Sequence, residues 1–223
     1  MQAPSTAATA RRTQIIAATI EVVAEVGYAR TTFARIARRG GLSSTRLISY
    51  HFASKAELMR AIVDDTYRSI NDFLLDRART DAASRPIQPP EDGRPVSPPL
   101  SASAELRAYI RGVTAYVDQH RARMRAFGSI VSAVHDDPDS PALAQADPDG
   151  AVMIYLTRLL RRGQDLGEFQ TADPLVLASM VQRTLEGLPQ LLRHRPDLDT
   201  QVYAAELADA VTRAAGERHG TTT

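Results

Sequence analysis

Serine, threonine, arginine and lysine side chains recur through TTFARIARRGGLSSTRLISYHFASKAEL, residues 31–58, at a spacing suited to holding phosphates and base edges. Arg46 is the strongest base-reading candidate, because one guanidinium can donate two parallel hydrogen bonds to the acceptor edge of guanine. Ser43, Ser44, Thr45 and Ser49 are shorter candidates around it. Thr32 can offer a hydroxyl and a backbone amide to a phosphate. Lys55 would add an ammonium charge where a helix start already favours an anion. Arg11 and Arg12 are expected on a basic arm that reaches DNA backbone or an adjacent minor groove, while Arg38 and Arg39 either support phosphate binding or form a solvated face. In such a set, phosphate contacts position the module and base-edge contacts give it sequence preference.

Competing chemistries find little to work with. The chain has no cysteine, so disulfides, zinc ribbons and thiol nucleophiles are excluded. Its five histidines are scattered, and the paired Glu-x-x-His motifs of an all-α metalloenzyme do not occur. His135-Asp136-Asp137-x-Asp139 reads as an acidic loop at a helix end rather than a metal site. Neither an enzyme nor a cofactor is expected.

The elements that must carry these side chains are helical throughout. Ile15, Ile16, Ala18, Thr19, Val22, Val23 and Val26 recur at three- and four-residue spacing, which predicts a first helix over about 10–26 that Gly27 ends. Thr31 or Thr32 caps a short second helix with Phe33, Ile36 and Ala37 inward. Gly40-Gly41 breaks it, and Ser43 or Ser44 caps a third that buries Leu47 and Ile48. A fourth, capped by Ser54, carries Leu58, Ile62 and Val63 on to about Ala82. After the proline-rich connector 84–101, helical patterns cover 104–119, 120–135, 151–166, 173–193 and 198–215, and a polar tail follows at 217–223. Asp173-Pro174 supplies a cap and a first-turn proline. The fold class is all-α with about nine helices. A three-helix DNA-binding domain at 10–56, preceded by a flexible lead-in at 1–9, is joined to a larger helical domain at 57–216.

Charge follows the same division. Residues 1–60 sum to +6 and the remainder to −5, a basic head on an acidic body. The N-terminus lacks the apolar core of a signal peptide, and no run approaches a membrane span. A cytoplasmic, nucleoid-associated protein is expected.

The head also resembles a known family. Ala18-x-x-x-Val22-x-x-x-x-Gly27-Tyr28-x-x-Thr31-Thr32-x-x-x-Ile36-Ala37, then Gly41-Leu42-Ser43, then Tyr50-His51-Phe52-x-Ser54-Lys55-x-Glu57-Leu58 is similar to the N-terminal domain of TetR-type transcriptional regulators. Leu160-x-x-Gly163-x-x-x-Gly167-Glu168-Phe169, Asp173-Pro174 and Leu185-x-Gly187-Leu188 look like that family's segment joining regulatory to dimerisation helices. From Gly41 to Phe52 this chain is one residue longer than the commonest spacing, and the usual recognition-helix glycine is absent. If Ser44 takes the usual serine position, Arg46 replaces the glycine and the extra residue lies in the Gly-Gly turn. If Ser43 does, Thr45 replaces it. The Ser44 alignment keeps both Ile48 and Phe52 inward and is preferred.

The resemblance implies that Tyr50 and His51, at the end of the recognition helix, brace phosphates. It also implies a ligand-responsive repressor that binds a palindromic double-stranded operator as a homodimer through helices 173–193 and 198–215. An unknown small-molecule effector would occupy the body, with Tyr109, Tyr116, Met124, Phe127, Met153, Tyr155 and Met180 as pocket candidates. A helix-turn-helix regulator governed by protein partners instead is the alternative.

Overall fold

Apolar residues at helical spacing wind the chain into the elements seen in a computed structural model, which describes residues 6–83, 101–135, 148–170 and 172–216. Among the described residues nine α-helices are present and no strand: α1 (Thr6–Arg30), α2 (Phe33–Arg39), α3 (Arg46–His51), α4 (Lys55–Ala83), α5 (Ala102–Gln119), α6 (Arg121–His135), α7 (Pro148–Asp165), α8 (Pro174–His194) and α9 (Thr200–Ala214). The all-α architecture expected from the periodicity is therefore present. The acidic loop after His135, most of the proline-rich connector and the polar tail lie outside the described residues. No helix among those described is long and apolar enough to cross a membrane.

The chain divides into two compact units, Met1–Ser69 with His120–Pro148, and Ile70–Gln119 with Asp149–Thr223. This division differs from the one expected at 56/57. The first part of α4 stays with the head, and α6 joins it by inserting Ala126 and Ile130 into the same core as Ile15, Val23, Ile36, Ile48, Phe52 and Ile62. Sequence distance hid that pairing. Helix α1 also begins at Thr6, so residues 6–9 are helical rather than a loose lead-in, and Arg11 and Arg12 lie within the helix instead of on an arm.

In the first unit, Gly27 takes φ +80 and kinks α1, a conformation that only glycine adopts cheaply. The corner it makes is pinned from two sides. The Thr31 hydroxyl donates to the Gly27 carbonyl at 2.8 Å, and the Tyr28 N–H donates to Ser129 Oγ of α6 at 2.9 Å.

In the second unit α5 buries Leu106, Ile110, Val113, Tyr116 and Val117. Leu156, Leu159 and Leu160 of α7 are buried too, as are Leu177, Val181, Leu185, Leu188 and Leu192 of α8 and Ala204, Ala208 and Val211 of α9. Asp173 caps α8 by accepting from the Leu175 N–H at 2.8 Å, with Pro174 in the first turn, and Asp199 caps α9 in the same way. Arg107 on α5 ties down α9 through Asp209 and the Thr212 hydroxyl, and this guanidinium holds the Asp209 carboxyl below the usual carboxylate range.

Helix α7 stops in a Schellman turn. Gly167 at φ +71 follows its last turn, and the Glu168 N–H donates to the Gly163 carbonyl at 2.8 Å. Gly163 is itself a close-packing position, since a Cβ there would sit 2.2 Å from Cδ2 of the buried Phe169 ring and 3.0 Å from Ala102 Cβ. Gly163→Val is expected to destabilise the protein by about 2 kcal/mol or more, because the ring has nowhere to move in a filled core. A denaturant midpoint unchanged from the parent would contradict this.

Candidate nucleic-acid interface

Helix α2 starts at Thr32, whose extended backbone and hydroxyl cap it by accepting from the Arg35 N–H at 3.3 Å. Ile36 and Ala37 are buried while Arg35 and Arg38 are exposed. Arg39, by contrast, is paired with Glu21 at 3.3 Å and with Glu25 on α1, so part of the basic face is neutralised. The helix ends in a second Schellman turn. Gly41 takes φ +61, and the Leu42 N–H donates to the Ala37 carbonyl at 2.9 Å. Gly40 lets α2 approach α1, since a Cβ there would meet Ala18 Cβ at 3.0 Å.

After that turn Ser43, Ser44 and Thr45 run exposed into α3. Neither Ser43 nor Ser44 caps the helix, contrary to the sequence expectation. Thr45 occupies the N-cap position in a helical conformation, and its side chain makes no cap bond. The first turn closes on backbone alone, with the Leu47 N–H donating to the Ser44 carbonyl at 3.3 Å and the Ile48 N–H to the Thr45 carbonyl at 3.0 Å. Ile48 and Phe52 are both buried and anchor the inner face, as the Ser44 alignment requires. Arg46, Ser49 and Tyr50 then share the opposite face at three- and four-residue spacing, all exposed. Tyr50 is 82% exposed, and its ring meets His51 edge-on at 5.1 Å.

Helix α4 opens with a reciprocal cap. Ser54 Oγ accepts from the Glu57 N–H at 3.1 Å while Glu57 Oε2 accepts from the Ala53 N–H at 2.6 Å. Two cations differ from their expected placement. Lys55 folds back on the head instead of pointing outward: Nζ donates to the Tyr28 carbonyl at 2.7 Å and lies 4.1 Å from the centre of that ring. Burial there pulls its pKa below the ordinary lysine value. Arg12 donates to the His51 carbonyl at 3.1 Å and stacks 4.2 Å from the Phe52 ring centre. Sequence reading missed one group altogether. Gln14 donates from Nε2 to the Gly40 carbonyl at 2.7 Å and accepts from Arg11 at 2.6 Å. Its partner lies 26 residues away, and no local pattern announces such a pair.

Residues 15–62, which hold α2, α3 and the cap of α4, match the family model described as bacterial regulatory proteins of the tetR family. This segment is a tetR-family head. Among curated proteins its TetR-type head is similar to the HTH-type transcriptional regulator BetI of Escherichia coli, 43% identical over 67 residues, or 30% of this chain and 34% of that regulator. The likeness to BetI therefore spans about a third of BetI's length. Two solved structures follow nearly the whole chain. A TetR-family regulatory protein from Rhodococcus RHA1 has a TM-score of 0.72 at 20% identity, covering 97% of this chain and 100% of its own. SmeT, solved with triclosan, has a TM-score of 0.67 at 25% identity, covering 96% of this chain and 95% of its own.

The pocket candidates are distributed between the two units. Met124 and Phe127 belong to the first, where Phe127 packs edge-on against Tyr67 at 5.5 Å. In the second, Tyr116 is fully buried against Phe73 at 5.5 Å, and Tyr109 faces Tyr155 at 5.6 Å. Met153 is half-buried on α7. The Tyr155 hydroxyl donates to Glu105 at 3.0 Å, and burial together with that carboxylate pushes its pKa above the ordinary tyrosine range. Met180 does not face inward. It is 49% exposed on α8, on the same side as Val176, so it fails as a lining residue within a single chain.

Proposed function

We propose that this chain is a TetR-family, sequence-specific DNA-binding transcriptional regulator, acting as a ligand-responsive homodimeric repressor on a palindromic operator. The observation that carries the reading is the outward row Arg46, Ser49 and Tyr50 on a short helix whose inner residues Ile48 and Phe52 are buried. Arg46 reads base edges, with Ser43, Ser44, Thr45 and Ser49 beside it, while Thr32, Tyr50, His51 and Arg38 contact phosphates. Lys55 contributes charge from its seat on Tyr28.

One recognition helix spans only a few base pairs, so two heads a helical turn or a multiple apart are needed to read a palindrome. Exposed Val176, Met180 and Gly187 on one side of α8, with exposed Val202 on α9, support pairing through these helices. The effector is a small molecule held in the helical body, a role supported by the triclosan complex of SmeT. It would relieve repression by binding more tightly to the conformation whose heads miss the grooves. The site of action is the cytoplasm.

Selection of duplexes from a random library by the full chain is expected to enrich an inverted repeat. Affinity for that repeat should fall steeply with salt as bound arginines release counterions. Recovery of unenriched sequence, or affinity indifferent to salt, would refute the reading.

A further inference from the structure

Recognition helix α3 has six residues and no side-chain cap, too little to hold a helix in place by itself. Its inner side chains fix depth, but the backbone ends of the segment from Gly40 to His51 need separate anchors. Both anchors come from α1. Gln14 Nε2 donates to the Gly40 carbonyl at 2.7 Å, at the start of the turn into α3. The Arg12 guanidinium donates to the His51 carbonyl at 3.1 Å, at the helix end, and its Cζ lies over the Phe52 ring, 4.2 Å from the centroid. Arg11 completes the brace. By donating to Gln14 Oε1 at 2.6 Å it fixes the amide so that its NH2 faces Gly40.

We infer that Arg12 and Gln14 are positioning residues for the recognition helix, setting operator discrimination through the backbone of α3 rather than by touching DNA. A planar guanidinium does two jobs at position 12 that an ammonium cannot combine, stacking on an aromatic face while directing an N–H into a carbonyl. A hydrogen bond of ordinary strength on each carbonyl restrains the pitch of a helix whose exposed side chains must meet base edges within a few tenths of an ångström. The inference rests on the DNA-binding reading above, but its first consequence is visible without DNA.

The test uses the full chain with Arg12→Lys, Arg12→Met and Gln14→Met. The probes are a duplex selected from a random library by the unmodified chain and a mixed-sequence duplex of equal length. In the DNA-free protein, amide exchange over residues 46–52 is expected to quicken about five- to tenfold in Arg12→Met and Gln14→Met, with the α4 core amides unchanged. The ratio of selected to mixed affinity should fall by a similar factor in all three variants. Arg12→Lys, which keeps the charge, should leave the salt dependence as it was. The inference is overturned if Arg12→Lys behaves as the parent while Arg12→Met weakens both duplexes equally and lowers the salt slope by about one per bound head, the mark of a phosphate contact. Unchanged exchange over 46–52 overturns it as well. If the unmodified chain enriches no duplex, the DNA-binding reading falls, and the exchange rates alone decide whether the brace exists.

Discussion

Replacing Ile48 with aspartate is expected to unfold the head and remove all DNA binding. Ile48 has no exposed surface and sits among Ile15, Ile36 and Phe52 in the core of the first unit. The change deletes a fully buried aliphatic side chain and puts a carboxylate in its place with no partner. Each effect costs several kcal/mol, and together they rival the roughly 5–15 kcal/mol that holds an ordinary domain folded. Ser49→Asp, one residue further on and exposed, is the matched control. It adds the same charge outside the core and should leave the thermal transition within a few degrees of the parent. If Ile48→Asp melted as cooperatively and as late as that control, the inner face of α3 would have been assigned wrongly.

Arg46→Ala carries the second large effect, on specificity instead of folding. Its side chain is exposed, so stability should hardly change. A guanidinium bonded twice to guanine contributes about 1–3 kcal/mol of discrimination, or roughly five- to 150-fold at each half-site. A dimer reading a palindrome would lose it twice. Selection with the variant is expected to show relaxed preference at one position in each half-site, while affinity for mixed sequence falls only by the loss of one charge per head. Enrichment of the same repeat with equal stringency would assign base reading to Thr45 or Ser44 instead.

Elements whose cause is local could be read from the residues. Asp173-Pro174 starts α8 because one side chain satisfies an N–H and the next lacks one, and Thr32 caps α2 by the same logic. Gly27 marks the kink in α1, and Gly41 and Gly167 the turns that end α2 and α7, because their φ is positive. The burial of Ile48 and Phe52 followed from spacing alone. What escaped was non-local or undecided by composition. The serines before α3 looked like caps, yet the turn after Gly41 leaves Ser43 and Ser44 exposed and hands the N-cap position to Thr45. Long cations were expected to face outward, but an aromatic ring together with a backbone carbonyl drew Arg12 to Phe52 and Lys55 to Tyr28. The membership of α6 in the head depends on Ala126 and Ile130 meeting residues about a hundred positions earlier, and periodicity carries no such information.

Lys55 is the chain's single lysine, so the head carries the only side-chain amine in the molecule. An acylating or methylating reagent aimed at side-chain amines has one address, the first turn of α4. While Nζ donates to the Tyr28 carbonyl and packs against its ring, a reagent's approach is hindered and labelling is slow. The extent of modification at one atom is then a direct count of how often that contact opens, and the protein arrives with its own single-site reporter.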